Sequence, residues 1–141
     1  MAVAPFPSDV SNQPKVLVVD DDVAIRILIA RLLSRTFEVD SARDGAEAIE
    51  KLRENDYAVI ILDLMMPRID GVGVVHYLKE HAPEQLPRVI VVTAFGSSAQ
   101  PRVAADISRF VAKPFDVDEL MREVLDCGGI TAEPAGNSPA V

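Results

Sequence analysis

Lys15-Val16-Leu17-Val18-Val19-Asp20-Asp21-Asp22 is the stretch that decides the fold class, together with a second of the same design, Val59-Ile60-Ile61-Leu62-Asp63. In each, an apolar run rich in Val and Ile stops abruptly at a carboxylate. Such a run lacks the alternation of a half-buried strand and reads as a parallel strand covered on both faces. The carboxyl ends of parallel strands are where open α/β sheets place ligands. Several carboxylates at one sheet edge repel one another unless a cation joins them, so the two runs together predict a metal site.

Outward from these runs, strand and helix signals alternate. Strands are predicted at about 15–20, 37–41, 57–62, 88–92 and 109–111. A first helix starts at Asp22, with Ile25, Leu28, Ile29, Leu32 and Leu33 on one apolar stripe. Asp44 offers a second N-cap with Glu47 three residues on, and Ala48, Ile49 and Leu52 supply the buried face. Asp70-Gly71 opens a third helix carrying Val74, Val75 and Leu78. The last begins at Asp116, with Glu119 in the third position, and buries Val117, Leu120, Val124 and Leu125. Between 96 and 106 only a short helix fits, because Pro101 is tolerated only in a first turn. The alternation predicts an α/β fold, a doubly wound five-stranded parallel sheet with helices on both faces.

The chain of 141 residues suits one domain with a full core. Residues 1–14, with three prolines, read as a flexible lead, 15–127 as the domain and 128–141 as a disordered tail. A formal charge of −8 argues against nonspecific binding to nucleic acid or anionic lipid. The single cysteine, Cys127, forms no internal disulfide, and there is neither a signal-peptide pattern nor an apolar run near the ~20 residues of a membrane span. A cytoplasmic protein, without membrane insertion, is the expectation.

The predicted strand ends supply Asp20 and Asp21, then Asp63, Thr93 and Lys113-Pro114. If strands one and three are neighbours, the acids converge in one crevice at a topological switch point. Oxygen ligands without His or Cys suit Mg²⁺, with Mn²⁺ possible in its place. A metal, an ammonium and a hydroxyl around one carboxylate match a phosphoryl group, whose charge is spread over three oxygens. Carboxylates accept phosphoryl groups as nucleophiles, and Asp63 is the candidate because Asp20 and Asp21 are engaged with the metal. Asp22 reads as a helix cap.

Four strings, Val-Leu-Val-Val-Asp-Asp-Asp, Leu-Asp-Leu-Met-Met-Pro-Arg-Ile-Asp-Gly, Val-Val-Thr-Ala and Val-Ala-Lys-Pro-Phe, occur in this order and spacing. Together they resemble the receiver domain of two-component response regulators over about residues 14–127. The resemblance implies the flavodoxin-like strand order 2-1-3-4-5. It also implies that Asp63 is the phosphoacceptor, that Asp21 ligates the metal directly and Asp20 mainly through water, and that Met65 lends a backbone carbonyl. Thr93 and Lys113 would contact the phosphoryl oxygens, Lys113-Pro114 would be a cis peptide, and Phe110 would be a buried switch aromatic. The implied partners are a histidine kinase or histidine phosphotransfer protein and a downstream protein target, reached without direct nucleic-acid binding. With no output domain expected, signalling would run through protein–protein contacts.

Competing classes are weighed by residue. A hydrolase of the haloacid-dehalogenase type needs an acid two residues after the nucleophile, where this chain has Met65. A flavin carrier needs a hydroxyl- or glycine-rich loop after strand one, where three acids stand. A pseudo-receiver, binding partners without phosphorylation, is disfavoured by the complete set of acids, hydroxyl and lysine. No classical enzyme is expected, only slow self-dephosphorylation, and apolar Met65 and Phe95 should hinder the hydrolytic water.

Overall fold

A computed structural model describes residues 13–66, 68–94 and 100–129. Most of the predicted lead and tail, and Phe95, lie outside the described residues. The elements run β1 (Lys15–Val19), α1 (Val23–Leu33), β2 (Glu38–Ala42), α2 (Gly45–Glu54), β3 (Val59–Asp63), α3 (Gly71–His81), β4 (Val89–Ala94), α4 (Gln100–Val103), β5 (Arg109–Lys113) and α5 (Val117–Cys127). A 3₁₀ segment, Pro83–Arg88, joins α3 to β4. The strands pair in parallel in the order β2-β1-β3-β4-β5, the predicted order.

The unbroken apolar runs have a direct explanation. Alternate residues of a strand point to opposite faces, and here each face has its own cover. Leu17, Val19, Ile60 and Leu62 pack with Ala48 and Leu52 of α2 and with Val74 and Leu78 of α3. Val16, Val18, Val59 and Ile61 pack on the other side with Ile29 and Leu33 of α1 and with Leu120 and Val124 of α5. From Val16 to Val19 on β1 and from Val59 to Leu62 on β3 no position faces water, so none is polar until the acids that follow.

The helices start where their caps predict. Asp22 accepts hydrogen bonds from Ala24 and Ile25, Asp44 from Glu47, Asp70 from Gly73 and Asp116 from Asp118, each from a backbone N–H. The Glu47 carboxylate accepts from the N–H of Arg43, one residue ahead of the cap, rather than from the cap itself. Pro101 lies inside the single-turn helix α4, as its ring requires.

On the helices, two residues expected to be buried are exposed. Leu28 is 43% exposed and Val117 37% exposed, although both were assigned to buried stripes. On α1 the row at every fourth residue, through Ile29 and Leu33, points at the sheet. Leu28 lies one residue, about 100°, off that row and faces solvent. Val117 is the first residue of its helix, beyond the strand ends that α5 covers.

The start of α3 rests directly on the backbone of β3. Gly71 donates its N–H to the Leu64 carbonyl at 3.1 Å. A Cβ on Gly71 would lie 2.4 Å from the Asp63 carbonyl oxygen and 2.6 Å from the Leu64 Cα. Backbone atoms cannot yield as a flexible side chain can, so Gly71→Ala is expected to destabilise the domain by about 2–3 kcal/mol, measured by denaturant unfolding.

Candidate functional site

Register brings the acids together. Val19 of β1 is paired with Leu62 of β3, so the next residues, Asp20 and Asp63, leave the sheet side by side. Asp20 continues the ladder by one bond, its N–H donating to the Ala42 carbonyl of β2 at 3.1 Å. The chain then turns, and the Asp20 carboxylate accepts from the N–H of Asp22 at 2.9 Å. That turn leaves Asp21 exposed while Asp20 and Asp63 are buried. One carboxylate oxygen from each of Asp20, Asp21 and Asp63 can be chosen so that all three lie within 4.8 Å of one another.

A cation already reaches into this group. Lys113, the last residue of β5, places Nζ 2.9 Å from Asp20 Oδ2 and 3.3 Å from Asp63 Oδ2. The peptide bond that follows it, Lys113–Pro114, is cis. Burial pulls the lysine pKa down, but hydrogen bonding and charge contact with Asp20 and Asp63 outweigh it and leave the pKa above its ordinary value. For Asp63 the balance is different. Burial pushes its carboxyl above the usual carboxylate value, with the charge of Asp20 adding to the rise. The Met65 N–H, donating to Asp63 Oδ1 at 3.1 Å, and the Lys113 ammonium pull it back without cancelling the effect of burial.

Thr93 of β4 is 2% exposed, and its Oγ1 has no hydrogen-bond partner among the described residues. Buried hydroxyls are rarely left unpaired, which makes this one a candidate donor to a ligand oxygen. Met65 carries its thioether outward, 56% exposed. Phe110 of β5 was expected to be buried but is only half-buried, packed against the edge of the core cluster on the α2–α3 side. It sits on β5, an edge strand of the sheet.

One supporting residue was not anticipated. Arg26 of α1 donates from its guanidinium to the Asp20 backbone carbonyl at 2.7 Å, fixing the turn that presents Asp20 and Asp21. Its only signal in the sequence is a cation amid apolar residues of α1, which reads equally as a solvated side chain.

The arrangement is a cluster of three acids with their oxygens close together, an ammonium in contact with two of them, and, near the end of the neighbouring strand β4, a buried hydroxyl with no partner among the described residues. A family model for the response regulator receiver domain matches residues 16–125. The chain belongs to that family. Among its relatives, the transcriptional regulatory protein ResD of Bacillus subtilis is 38% identical over 120 residues, covering 82% of this chain and 48% of ResD. SrrA of Staphylococcus aureus is 40% identical over 114 residues, covering 78% of this chain and 46% of SrrA. The chain therefore spans about half the length of the curated relatives it matches. The receiver domain of the Francisella response regulator 1452 superposes with a TM-score of 0.72 at 30% identity, over 83% of this chain and 98% of that one. TrrA of Thermotoga maritima, solved in complex with Mg²⁺-BeF, superposes with a TM-score of 0.69 at 29% identity, over 82% and 99%.

Receiver domains are regulatory modules of two-component systems, not classical enzymes, and they bind Mg²⁺ through an acidic cluster. No described helix of this receiver is long and apolar enough to cross a membrane. Because Asp63 is buried beside a second acid, its charge costs stability when no metal is bound. Asp63→Asn is expected to raise the melting temperature of the metal-free protein at neutral pH by a few degrees, read by thermal unfolding in chelator.

Proposed function

We propose that this receiver is a Mg²⁺-dependent phosphoacceptor switch. Asp63 takes a phosphoryl group from a phosphohistidine on a histidine kinase or histidine phosphotransfer protein, and the modified domain changes its affinity for a downstream protein. The observation that carries the reading is the buried Asp63 carboxylate, contacted by Lys113 and by the Met65 N–H, beside the unpaired hydroxyl of Thr93.

The carboxylates of Asp20, Asp21 and Asp63 fit a hard divalent ion; Asp21, Asp63 and the Met65 carbonyl would hold it directly, and Asp20 mainly through water. Mg²⁺ held there supplies charge neutralisation for the phosphoryl oxygens. An Asp63 oxygen forms the new bond to phosphorus as the phosphorus–nitrogen bond to the donor imidazole breaks, and the imidazole keeps the electron pair. Lys113 turns from the carboxylates to a phosphoryl oxygen. Thr93 donates its free hydroxyl to another.

Moving the Thr93 side chain toward the phosphoryl group vacates space that half-buried Phe110 can enter, which changes the surface beside β5. A coupling of about 1–3 kcal/mol from such a rearrangement shifts partner affinity several-fold or more. That TrrA was solved with Mg²⁺-BeF supports this chemistry by similarity. The exposed apolar residues beside the site support docking of a phosphodonor. Val23 and Ile27 of α1 are exposed, and a cleft of about 470 Å³ is lined by Ile25, Leu28, Pro114, Phe115, Val117 and Lys113.

Incubation with a small acyl-phosphate donor and Mg²⁺ is expected to leave one acid-stable, hydroxylamine-labile phosphate on Asp63, and none when Mg²⁺ is chelated. Absence of label, or label that survives Asp63→Ala, would overturn the proposal. The exposed thioether of Met65 offers a hydrolytic water no hydrogen bond. Met65→Asn is accordingly expected to accelerate loss of the phosphate several-fold, followed by decay of the labelled protein; an unchanged or slower rate contradicts this.

A further inference from the structure

The β3–α3 connection carries Met65, and among the described residues the hydrogen bond that ties Met65 to the site is from its own N–H to Asp63. What holds the far side of the connection is the start of α2, an element with no residue in the site. Arg68 Nε lies 3.0 Å from Asp44 Oδ2, and the Asp44 side chain is only 7% exposed. The same carboxylate caps α2 through its other oxygen, which accepts from the Glu47 N–H at 2.8 Å. One residue along, Gly45 donates its N–H to the Ile69 carbonyl at 2.8 Å. A Cβ on Gly45 would lie 2.1 Å from that carbonyl oxygen, so the connection sits where α2 has no side chain. Arg68 adopts φ 61°, the one positive φ at a non-glycine residue among the described residues. An L-residue persists in that region only where its surroundings impose it.

We propose that Arg68 is a positioning residue, and that its ion pair with Asp44 and the adjoining Gly45–Ile69 contact latch the β3–α3 connection to α2, so that the Met65 carbonyl is set for the metal. Metal affinity then depends on an ion pair outside the acidic cluster. The proposal rests on the Mg²⁺ site proposed above.

The sign of the effect separates a latch from simple electrostatics. Arg68 is a cation, and removing a cation from an acidic surface makes divalent binding tighter by charge alone. Loss of the latch makes it weaker, because the carbonyl ligand is no longer held in place. Partners that orient metal ligands directly are worth about 10–100-fold in affinity, and one acting through a loop should be worth less, about 3- to 10-fold.

The test is calorimetric titration of Mg²⁺ into the protein without any phosphodonor, for the wild type, Arg68→Gly and Arg68→Lys. Glycine accepts the positive φ without strain, which offsets the loss of the ion pair to buried Asp44, so the metal-free melting temperature should hold steady. Against that unchanged stability, Arg68→Gly should bind Mg²⁺ about 3- to 10-fold more weakly, with Arg68→Lys between it and the wild type. Binding by Arg68→Gly as tight as the wild type, or tighter, overturns the latch while leaving the metal site standing. Failure of the wild type itself to bind Mg²⁺ overturns the site, and the latch with it.

Discussion

The interaction on which the rest depends is the contact of one ammonium with two buried carboxylates, Lys113 with Asp20 and Asp63. Like charges about 4 Å apart repel by roughly 4 kcal/mol at an effective dielectric of 20, and more where water is excluded. Burial raises this cost by removing solvent from both acids. Three clustered carboxylates against one contacting ammonium leave two negative charges over, the charge of one divalent cation. The local structure is arranged to keep that imbalance in place. Parallel register sets Asp20 beside Asp63, the Asp22 cap and Arg26 hold the turn after β1, and the close seating of Gly71 fixes the backbone of β3.

The same imbalance gives the acids separate tasks. Asp21 is exposed and free to meet a solvated ion, whereas Asp20 is tied to Lys113 and to the Asp22 N–H. Asp63 stands at the end of the most buried strand, between the other acids and the unpaired Thr93 hydroxyl. A group arriving on Asp63 therefore meets a cation, a donor and the edge strand β5 at once. In the proposed switch, a local bond at Asp63 becomes a surface signal through that edge, where Phe110 is only half-buried.

Much of this was legible because the decisive residues sit at ends of elements whose periodicity is unambiguous. Val16–Val19 and Val59–Leu62 are apolar on both faces, which only a sheet covered twice explains, and the acids mark where that cover stops. The caps Asp22, Asp44, Asp70 and Asp116 were readable because an N-cap is a local bargain between one side chain and the next turn. Burial of Leu28 and Val117 was not readable, since it depends on how far around a helix its neighbours reach. Arg26, Arg68 and the ion pair that Asp44 makes beyond its capping role were hidden for a different reason. Their roles arise from contacts between separate elements, and a lone Arg or Asp in sequence resembles any solvated charge.

The most direct measurement is a crystal structure of the protein with Mg²⁺ and beryllofluoride. If the acid cluster holds a divalent cation and Asp63 alone reacts, the cation lies between Asp21, Asp63 and the Met65 carbonyl. Beryllium is then bonded to an Asp63 oxygen, with Thr93 Oγ1 and Lys113 Nζ on its fluorides. Beryllofluoride on another residue, or a cluster that stays without a cation at saturating Mg²⁺, would contradict it.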